Sequence, residues 1–258
     1  MATQDGRSAT GGAGPIFIGT AGWSIPKIHQ DGFPQTGTHL ERYGSTFQAT
    51  EINSSFYRHH RRSTYERWAA SVTELFRFSV KVPKTITHSG QLAVTSELDT
   101  FLSEIGGLGT KLGPLLLQFP PKQTFMEAES ASFLTAIRER VAGPIACEPR
   151  HASWFGNDVD DLFSSLRIAR VAADPPRAEG ADVPGGWTRM AYYRLHGSPQ
   201  IYYSPYGEER LESIAQQLVR NAQAGVETWC IFDNTTSYAA TGDALTTMRL
   251  TRTHAGVR

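Results

Sequence analysis

Ionisable side chains follow nearly every short apolar run of this sequence. The carboxylates and the histidine among them are Glu51, Glu148, Asp174, Asp233 and His196. Paired carboxylates suit acid–base catalysis when their surroundings separate their pKa values, and a histidine titrates near neutral pH. We therefore predict these five residues as catalytic, with His196 as proton shuttle, the two glutamates as acid and base, and the two aspartates orienting them.

A second set of side chains is suited to binding an anion. Lys81, Arg150 and Arg194 carry positive charge near the same run ends, and guanidinium groups bind phosphate or carboxylate through two parallel hydrogen bonds. Amides add hydrogen bonds, and aromatic faces suit sugars or bases. The predicted substrate-binding set is completed by Asn53, Gln118, Asn234, Trp23, Tyr57 and Tyr206.

The same residues allow other interpretations, which the sequence leaves open. Buried charges can pair with one another as a polar plug, without any ligand. Carboxylates and His196 are also ligands for divalent ions, although no H-E-x-x-H spacing is present and three cations would repel a metal. The cofactor is therefore unknown, with a divalent metal as an open alternative. Lys81 could act as an imine-forming nucleophile, a role that nearby glutamates would oppose by raising its pKa.

Strand-like and helix-like segments alternate along the sequence and position these residues. The strand-like runs are 16–19, 49–52, 76–82, 115–118, 144–148, 168–173, 192–195 and 228–232. The helix-like segments are 38–47, 63–72, 96–105, 130–141, 153–166, 208–224 and 243–250. Strands that alternate with helices predict parallel pairing in an α/β fold, and eight such units fit a closed (β/α)8 TIM-type barrel of about 250 residues. Residues 175–190 are rich in Pro and Gly, so the sixth helix is predicted to be missing or rudimentary.

The two-residue period of a strand tests this arrangement. If Glu51 faces the barrel interior, Asn53 does too and Ile52 faces the helices. If Arg194 faces inward, so does His196, while Leu195 faces out. Chemistry in such barrels lies at the carboxyl ends of the strands, where these polar residues fall. The alternative, an open doubly wound sheet, usually carries a G-x-G-x-x-G turn, whereas residues 19–23 read GTAGW.

Composition narrows the class of protein. The 258 residues contain 25 Lys and Arg against 25 Asp and Glu. This zero net charge disfavours nucleic-acid binding by bulk charge, although a local basic cleft is allowed. Two cysteines make neither a disulfide framework nor a zinc pattern, no run approaches the roughly 18 apolar residues of a membrane span, and the first residues lack the pattern of a secretory signal. We expect a cytoplasmic protein without membrane contact, with a disordered tail at 1–14 and a single domain at 15–258.

Several motifs together resemble the YecE-like family, a bacterial domain of unknown function numbered seventy-two. They are GTAGW at 19–23, EINSSFYR at 51–58, FSVKVP at 78–83, TH at 87–88, LQFPP at 117–121, EPRH at 148–151, SW at 153–154, RLHG at 194–197 and FDNT at 232–235. The resemblance runs from about Ile16 to Leu245 and implies a TIM-type barrel, but no established reaction. Residues 238–240 read YAA where the family often has a Gly-Ala pair, and Asp243 stands where Asn is frequent.

These observations lead to a functional hypothesis. We expect a hydrolase-type enzyme that acts on a phosphate-bearing or other anionic substrate by acid–base catalysis at the mouth of the barrel. The alternatives are a non-catalytic module that binds a nucleic acid or a metabolite, and an isomerase of a sugar derivative. The predicted partner is accordingly a small anionic ligand or a nucleic acid.

Overall fold

The computed structural model describes residues 12–256, so most of the predicted disordered tail at 1–14 lies outside the described residues. Within that range the strands are β1 Ile16–Thr20, β2 Ala49–Ile52, β3 Arg77–Lys81, β4 Leu112–Gln118, β5 Ile145–Glu148, β6 Ile168–Arg170, β7 Ala172–Asp174, β8 Gly185–Gly186, β9 Met190–Leu195 and β10 Glu227–Phe232. The α-helices are α1 His39–Gly44, α2 Arg62–Ala70, α3 Lys84–Thr87, α4 Ser96–Ile105, α5 Glu127–Arg140, α6 Asn157–Ser165, α7 Glu208–Gln223 and α8 Ala239–His254. None of these helices is long and apolar enough to cross a membrane.

The strands form two sheets, in the orders β1-β10-β9-β7 and β2-β3-β4-β5-β6-β8. Neighbouring strands are parallel except for the short antiparallel pair of β6 and β8. The predicted α/β fold with parallel strands is therefore confirmed. The predicted closed eight-stranded barrel is not, because no continuous ladder of strand pairs joins the two sheets in the described chain.

At the junction between the two sheets where β1 lies beside β2, the Tyr43 side chain lies between the strands. The Tyr43 hydroxyl from α1 accepts the backbone N–H of Thr20 at 2.9 Å and donates to the carbonyl of Ala49 at 3.1 Å. These two backbone groups would otherwise be available to a ladder between the strands. Beyond this point Ala21 and Glu51 form an isolated parallel bridge. The inserted hydroxyl is the physical reason that the ladder is interrupted here.

Removing the Tyr43 hydroxyl tests its role at this junction. We expect Tyr43→Phe to lower the free energy of unfolding by about 1–3 kcal/mol, because the change leaves buried backbone groups unpaired. Tyr65→Phe is a matched control, since Tyr65 is also fully buried but its hydroxyl has no hydrogen-bond partner among the described residues. Urea denaturation measures both variants. Equal losses would show that the Tyr43 hydroxyl does not hold β1 to β2.

At the other junction the two sheets share one segment of chain. Residues 168–174 contribute first β6 and then β7. The N–H of Val171, between them, donates to Cys147 of β5, whereas the carbonyl of Asp174 accepts the N–H of His196 after β9. The segment therefore passes from one sheet to the other, and both sheets face a common interior.

An apolar layer fills that interior below the carboxyl ends of the strands. Its members each stand two positions before a polar residue of the site, and they are Ala49, Leu116, Ala146, Tyr192 and Ile231. Because side chains on a strand alternate between faces, the polar residue two positions later points into the same interior. The sequence thereby places a polar layer directly above an apolar one.

The segment after β7 contains no helix between residues 175 and 189, in agreement with its Pro- and Gly-rich sequence. Arg170 holds it in place by donating to the carbonyls of Gly180 at 2.9 Å and Val183 at 3.3 Å. The last helix differs from the prediction, because α8 extends to 239–254 rather than 243–250. Burial of Leu250 and Thr251 stabilises the threonine-rich turn that propensity disfavours.

Candidate functional site

One buried arginine lies at the centre of the polar layer. The Arg194 guanidinium donates to both oxygens of Glu51 at 2.9 and 2.7 Å, to Glu148 Oε2 at 2.7 Å and to Asp233 Oδ2 at 3.0 Å. Its side chain is fully buried. Because Arg194 belongs to one sheet and Glu51 and Glu148 to the other, this ion pairing crosses the interior. We call Glu51, Glu148, Arg194, His196 and Asp233 the ionic centre.

His196 is held between two carboxylates. Its Nδ1 lies 3.1 Å from Asp233 Oδ2 and its Nε2 lies 3.2 Å from Glu148 Oε1. Two carboxylate acceptors require two N–H donors, which only the protonated ring supplies. Burial disfavours the charged ring, but the charge of Glu148 and the hydrogen bonds to both carboxylates outweigh burial and raise the pKa of His196. The His196 ring is therefore held in its protonated form, which can donate a proton but cannot accept one.

Glu148 is held in its ionised form by its neighbours. It accepts from Arg150 Nε at 2.8 Å and from Gln118 Nε2 at 3.0 Å, in addition to Arg194 and His196. Burial would raise the pKa of this carboxyl, but the positive charges of Arg150, Arg194 and His196 hold it well below its usual range. Burial would also raise the pKa of Asp233, but the charges of Arg194 and His196 and the hydrogen bond to His196 lower it.

Lys81 differs from Arg150 and Arg194 in its surroundings. It is only 5% exposed, and its Nζ lies 4.0 Å from the centroid of the Phe56 ring. Within residues 12–256, no carboxylate oxygen comes within ion-pairing distance of this ammonium group. Burial, reinforced by the charge of Arg194 and opposed by Glu51, Glu148 and Asp233, lowers the pKa of Lys81 to about 8.

Further positive charge lies around His88. Burial and the charges of Lys81, Arg150 and Lys122, opposed by Glu148, lower the pKa of the His88 ring to about 4. Arg150 also donates through Nη2 to the Tyr202 hydroxyl at 3.3 Å. We call Lys81, Lys122 and Arg150 the cationic group.

The sequence pattern did not single out Lys122, and His88 was named only within a motif of the family resemblance. Lys122 follows Gln118 by four residues, in the loop after β4, and His88 follows α3. A basic residue in a loop after a strand is the signal that was available. It is a weak signal, because the direction of a loop side chain is not fixed by a period of two.

Three predicted residues lie away from the ionic centre. The Asp174 carboxylate accepts from the Tyr206 hydroxyl at 3.1 Å and from Arg210 of α7. The Tyr206 hydroxyl in turn accepts the N–H of Gly197 at 2.9 Å. Asn234 donates to the carbonyl of Ser204 at 2.9 Å and to Asp243 of α8 at 2.7 Å. These contacts tie the loops after β7, β9 and β10 to the last two helices.

The remaining predicted residues line a separate cavity at the ends of β1 and β2. Trp23, Asn53 and Tyr57 border it, and its volume is about 330 Å³. The Asn53 Oδ1 atom is buried without a hydrogen-bond partner in the described chain. Asn53 follows β2 and precedes a short 3-10 turn over Ser54–Phe56, in which the Ser55 hydroxyl donates to the carbonyl of Lys81 at 2.6 Å. The cavity therefore lies next to the backbone of Lys81.

The charged residues do not form a ready metal site. Among residues 12–256, no three His, Cys, Asp or Glu side chains are grouped so that they could hold a metal ion. Arg194 lies between the carboxylates of Glu51, Glu148 and Asp233 and occupies their oxygen atoms. The donor set of the ionic centre thus suits a guanidinium group better than a divalent cation.

Comparison with known sequences supplies a family. A family model described as "Protein of unknown function DUF72" matches residues 17–257. The UPF0759 protein YunF of Bacillus subtilis is 29% identical over 235 residues, which are 83% of this chain and 81% of YunF. The UPF0759 protein YecE of Escherichia coli K12 is 35% identical over 106 residues, so that match spans 41% of this chain and 38% of YecE.

Comparison with solved structures gives the same family name. A DUF72 family protein from Enterococcus faecalis superposes with a TM-score of 0.77 at 22% identity, over 92% of this chain and 96% of that one. A DUF72 family protein from Thermotoga maritima gives 0.76 at 23% identity, over 91% and 98%. At these identities the likeness concerns the fold alone.

Proposed function

We propose, from the premise that this chain belongs to the DUF72 family of proteins of unknown function, that it is an enzyme for a phosphate-bearing or similar anion. The anion would bind beside Lys81 and Arg150. Acid–base chemistry would follow at the adjoining ionic centre. Hydrolysis of a phosphoester is the reaction to test first.

The balance of charge carries the proposal. The three carboxylates of the ionic centre are matched by Arg194, Arg150 and protonated His196. Lys81 adds a buried positive charge without an ion-pair partner among the described residues. A buried charge without a partner costs several kcal/mol. A bound anion would complete the balance and offset that cost.

The acid–base part of the proposal assigns a role to each member of the ionic centre. His196 would give its proton to a leaving group through Glu148, which lies 3.2 Å from the ring. Glu51 and Asp233 would keep Arg194 in place beneath that carboxylate. We further propose that the two sheets act together as a barrel-like container, since Arg194 reaches from one sheet to the other.

The cavity of Trp23, Asn53 and Tyr57 would receive the uncharged part of the ligand. Its volume of about 330 Å³ is at the lower end of the range for small-molecule sites. The unpartnered Asn53 Oδ1 calls for an O–H or N–H donor on the ligand. This requirement favours a ligand with a hydroxylated or amide-bearing ring over a bare inorganic ion.

Calorimetric titration with inorganic phosphate and pyrophosphate tests the anion site. We expect Lys81→Met and Arg150→Gln each to weaken binding by about tenfold or more, because a hydrogen bond to a charged group contributes about 1.5–3 kcal/mol. Lys111→Met is the burial-matched control. Lys111 is 6% exposed and already donates to the carbonyls of Ala69 and Val72, so its removal should leave affinity unchanged.

The outcomes separate the candidate functions. Unchanged affinity in both Lys81→Met and Arg150→Gln would mean that the anion binds elsewhere and the proposal is wrong. Turnover of phosphoesters that is abolished by Glu148→Gln and by His196→Ala supports the hydrolase. Tight binding without turnover of any phosphoester would instead favour the non-catalytic module.

A further inference from the structure

We infer that the Lys81 side-chain amine forms a covalent imine with a carbonyl group on the bound anion, so that the site takes a phosphorylated aldehyde or ketone. This inference rests on the proposed anion site but not on hydrolysis. It concerns the buried lysine of the site, whose nitrogen is not engaged by a carboxylate in the described chain.

The surroundings of Lys81 leave its nitrogen free to react. Both oxygens of Glu51 are held by Arg194, at 2.9 and 2.7 Å. Glu148 accepts from Arg150, Arg194 and Gln118. The nearby carboxylates therefore satisfy other donors. The Phe56 ring, 4.0 Å from the nitrogen, offers a face that forms no covalent bond and no strong hydrogen bond.

The backbone of Lys81 is also held in place. Lys81 ends β3, and its carbonyl accepts the Ser55 hydroxyl at 2.6 Å. Its backbone is thereby held beside the 53–57 segment that borders the cavity of Trp23, Asn53 and Tyr57. A carbonyl carbon near this edge would approach the nitrogen while a phosphate contacts Arg150.

A second buried lysine shows that burial alone does not produce this environment. Lys111 is 6% exposed, close to the 5% of Lys81. Its Nζ donates to two backbone carbonyls at 2.8 Å and pairs with Glu74 at 3.1 Å. Those acceptors engage the N–H groups of Lys111. Lys81 has none of them in the described chain, and the charge of Arg194 there opposes those of Glu51, Glu148 and Asp233.

The protonation state is consistent with a nucleophilic role. Burial and Arg194 lower the pKa of Lys81 to about 8, against the opposing influence of Glu51, Glu148 and Asp233. About half of the molecules would carry the neutral amine at pH 8. An ordinary lysine reaches that fraction only near its usual pKa of about 10.4.

The reaction balances without any further reagent. The lone pair of the neutral amine attacks the carbonyl carbon, and the carbonyl oxygen takes up a proton to give a carbinolamine. The carbon–oxygen bond then breaks, and the oxygen leaves as water. The two hydrogens that the nitrogen loses account for the two hydrogens of that water, and a carbon–nitrogen double bond remains. Water reverses the step and releases the ligand.

Reductive trapping tests the inference. The protein is mixed with dihydroxyacetone phosphate and sodium borohydride, whose hydride adds to the imine carbon while a proton from water reaches the nitrogen. Intact-mass analysis and peptide mapping then locate the adduct. We expect Lys81 to be labelled about tenfold or more faster than Lys111, because the Lys111 Nζ is engaged by two backbone carbonyls and by Glu74. The rate should rise with pH and level off above about pH 8.

Two comparisons separate this inference from the anion site. Lys81→Arg keeps the positive charge but cannot form the imine, so it should lose the label. Equal labelling of Lys81 by dihydroxyacetone and by its phosphate would support the imine and contradict the anion site. Tight phosphate binding with labelling of Lys81 no faster than that of Lys111 would overturn the imine and leave the anion site standing.

Discussion

Arg194→Met is expected to lower the free energy of unfolding by about 3–5 kcal/mol. The guanidinium contacts three carboxylates, and the side chain is completely buried. Its removal leaves Glu51, Glu148 and Asp233 close together without the charge that separates them. Breaking a buried ion pair from one side is costly because the remaining charge stays desolvated. Urea denaturation at neutral pH measures the loss.

A double variant shows whether unmatched charge causes that loss. Arg194→Met combined with Glu51→Gln removes one cation and one of its partners, so it should be more stable than Arg194→Met alone, a non-additive result expected of residues in direct contact. Arg140→Met is the control, since its pair with Asp99 is exposed and such pairs contribute about 0–1 kcal/mol. A loss for Arg194→Met no larger than for Arg140→Met would refute the ionic centre as a stabilising unit.

Acidification is expected to destabilise the protein through Glu148 and Asp233. The pKa of each carboxyl is lower in the folded chain than its reference value of 4.5 or 3.8. Their contribution is therefore complete above those reference values and is lost as pH falls through the folded pKa values. Between the folded and unfolded pKa of one carboxyl, stability falls by about 1.4 kcal/mol per pH unit. In Glu148→Gln the free energy of unfolding should therefore fall less steeply as the pH is lowered, because the contribution of Glu148 is missing.

Urea midpoints measured from neutral pH down to acid test this prediction. Glu66→Gln is the control, because Glu66 is half exposed and pairs only with Arg62 on the same helix among the described residues. If Glu148→Gln lost stability with falling pH as steeply as the unsubstituted protein, the lowered pKa of Glu148 would be contradicted. His196 acts in the opposite sense: its pKa is raised above 6.5, so its contribution is present below that value and is lost as pH rises through the folded pKa.

Strand periodicity explains why much of the ionic centre could be predicted. Glu51, Glu148 and Arg194 each follow an inward apolar residue by two positions, and a strand fixes the direction of alternate side chains. The sequence therefore determined which charges share the interior. It did not determine the pairing, because four hydrogen bonds from Arg194 depend on strand order and register rather than on local pattern. For that reason Arg194 was predicted to bind substrate, although its contacts are to protein carboxylates.

The features that were missed depend on loops and on a helix. Asp174, Tyr206 and Asn234 end or follow strands, but the loops direct them toward α7 and α8. Lys122 and Lys81 act on the His88 ring only through the folding of separate loops. The junction between β1 and β2 depends on a tyrosine from α1, which the strand pattern does not indicate. The family resemblance, carried by motifs along the chain, was confirmed.

The span of the Arg194–Glu51 contact bears on how the protein is made. The two residues are 143 positions apart, so the carboxylates emerge from the ribosome long before their counter-ion does. Until β9 is synthesised, the nascent chain has to keep Glu51 and Glu148 hydrated or protonated. The final assembly of the interior is therefore a late step of folding, which waits until β9 has been synthesised.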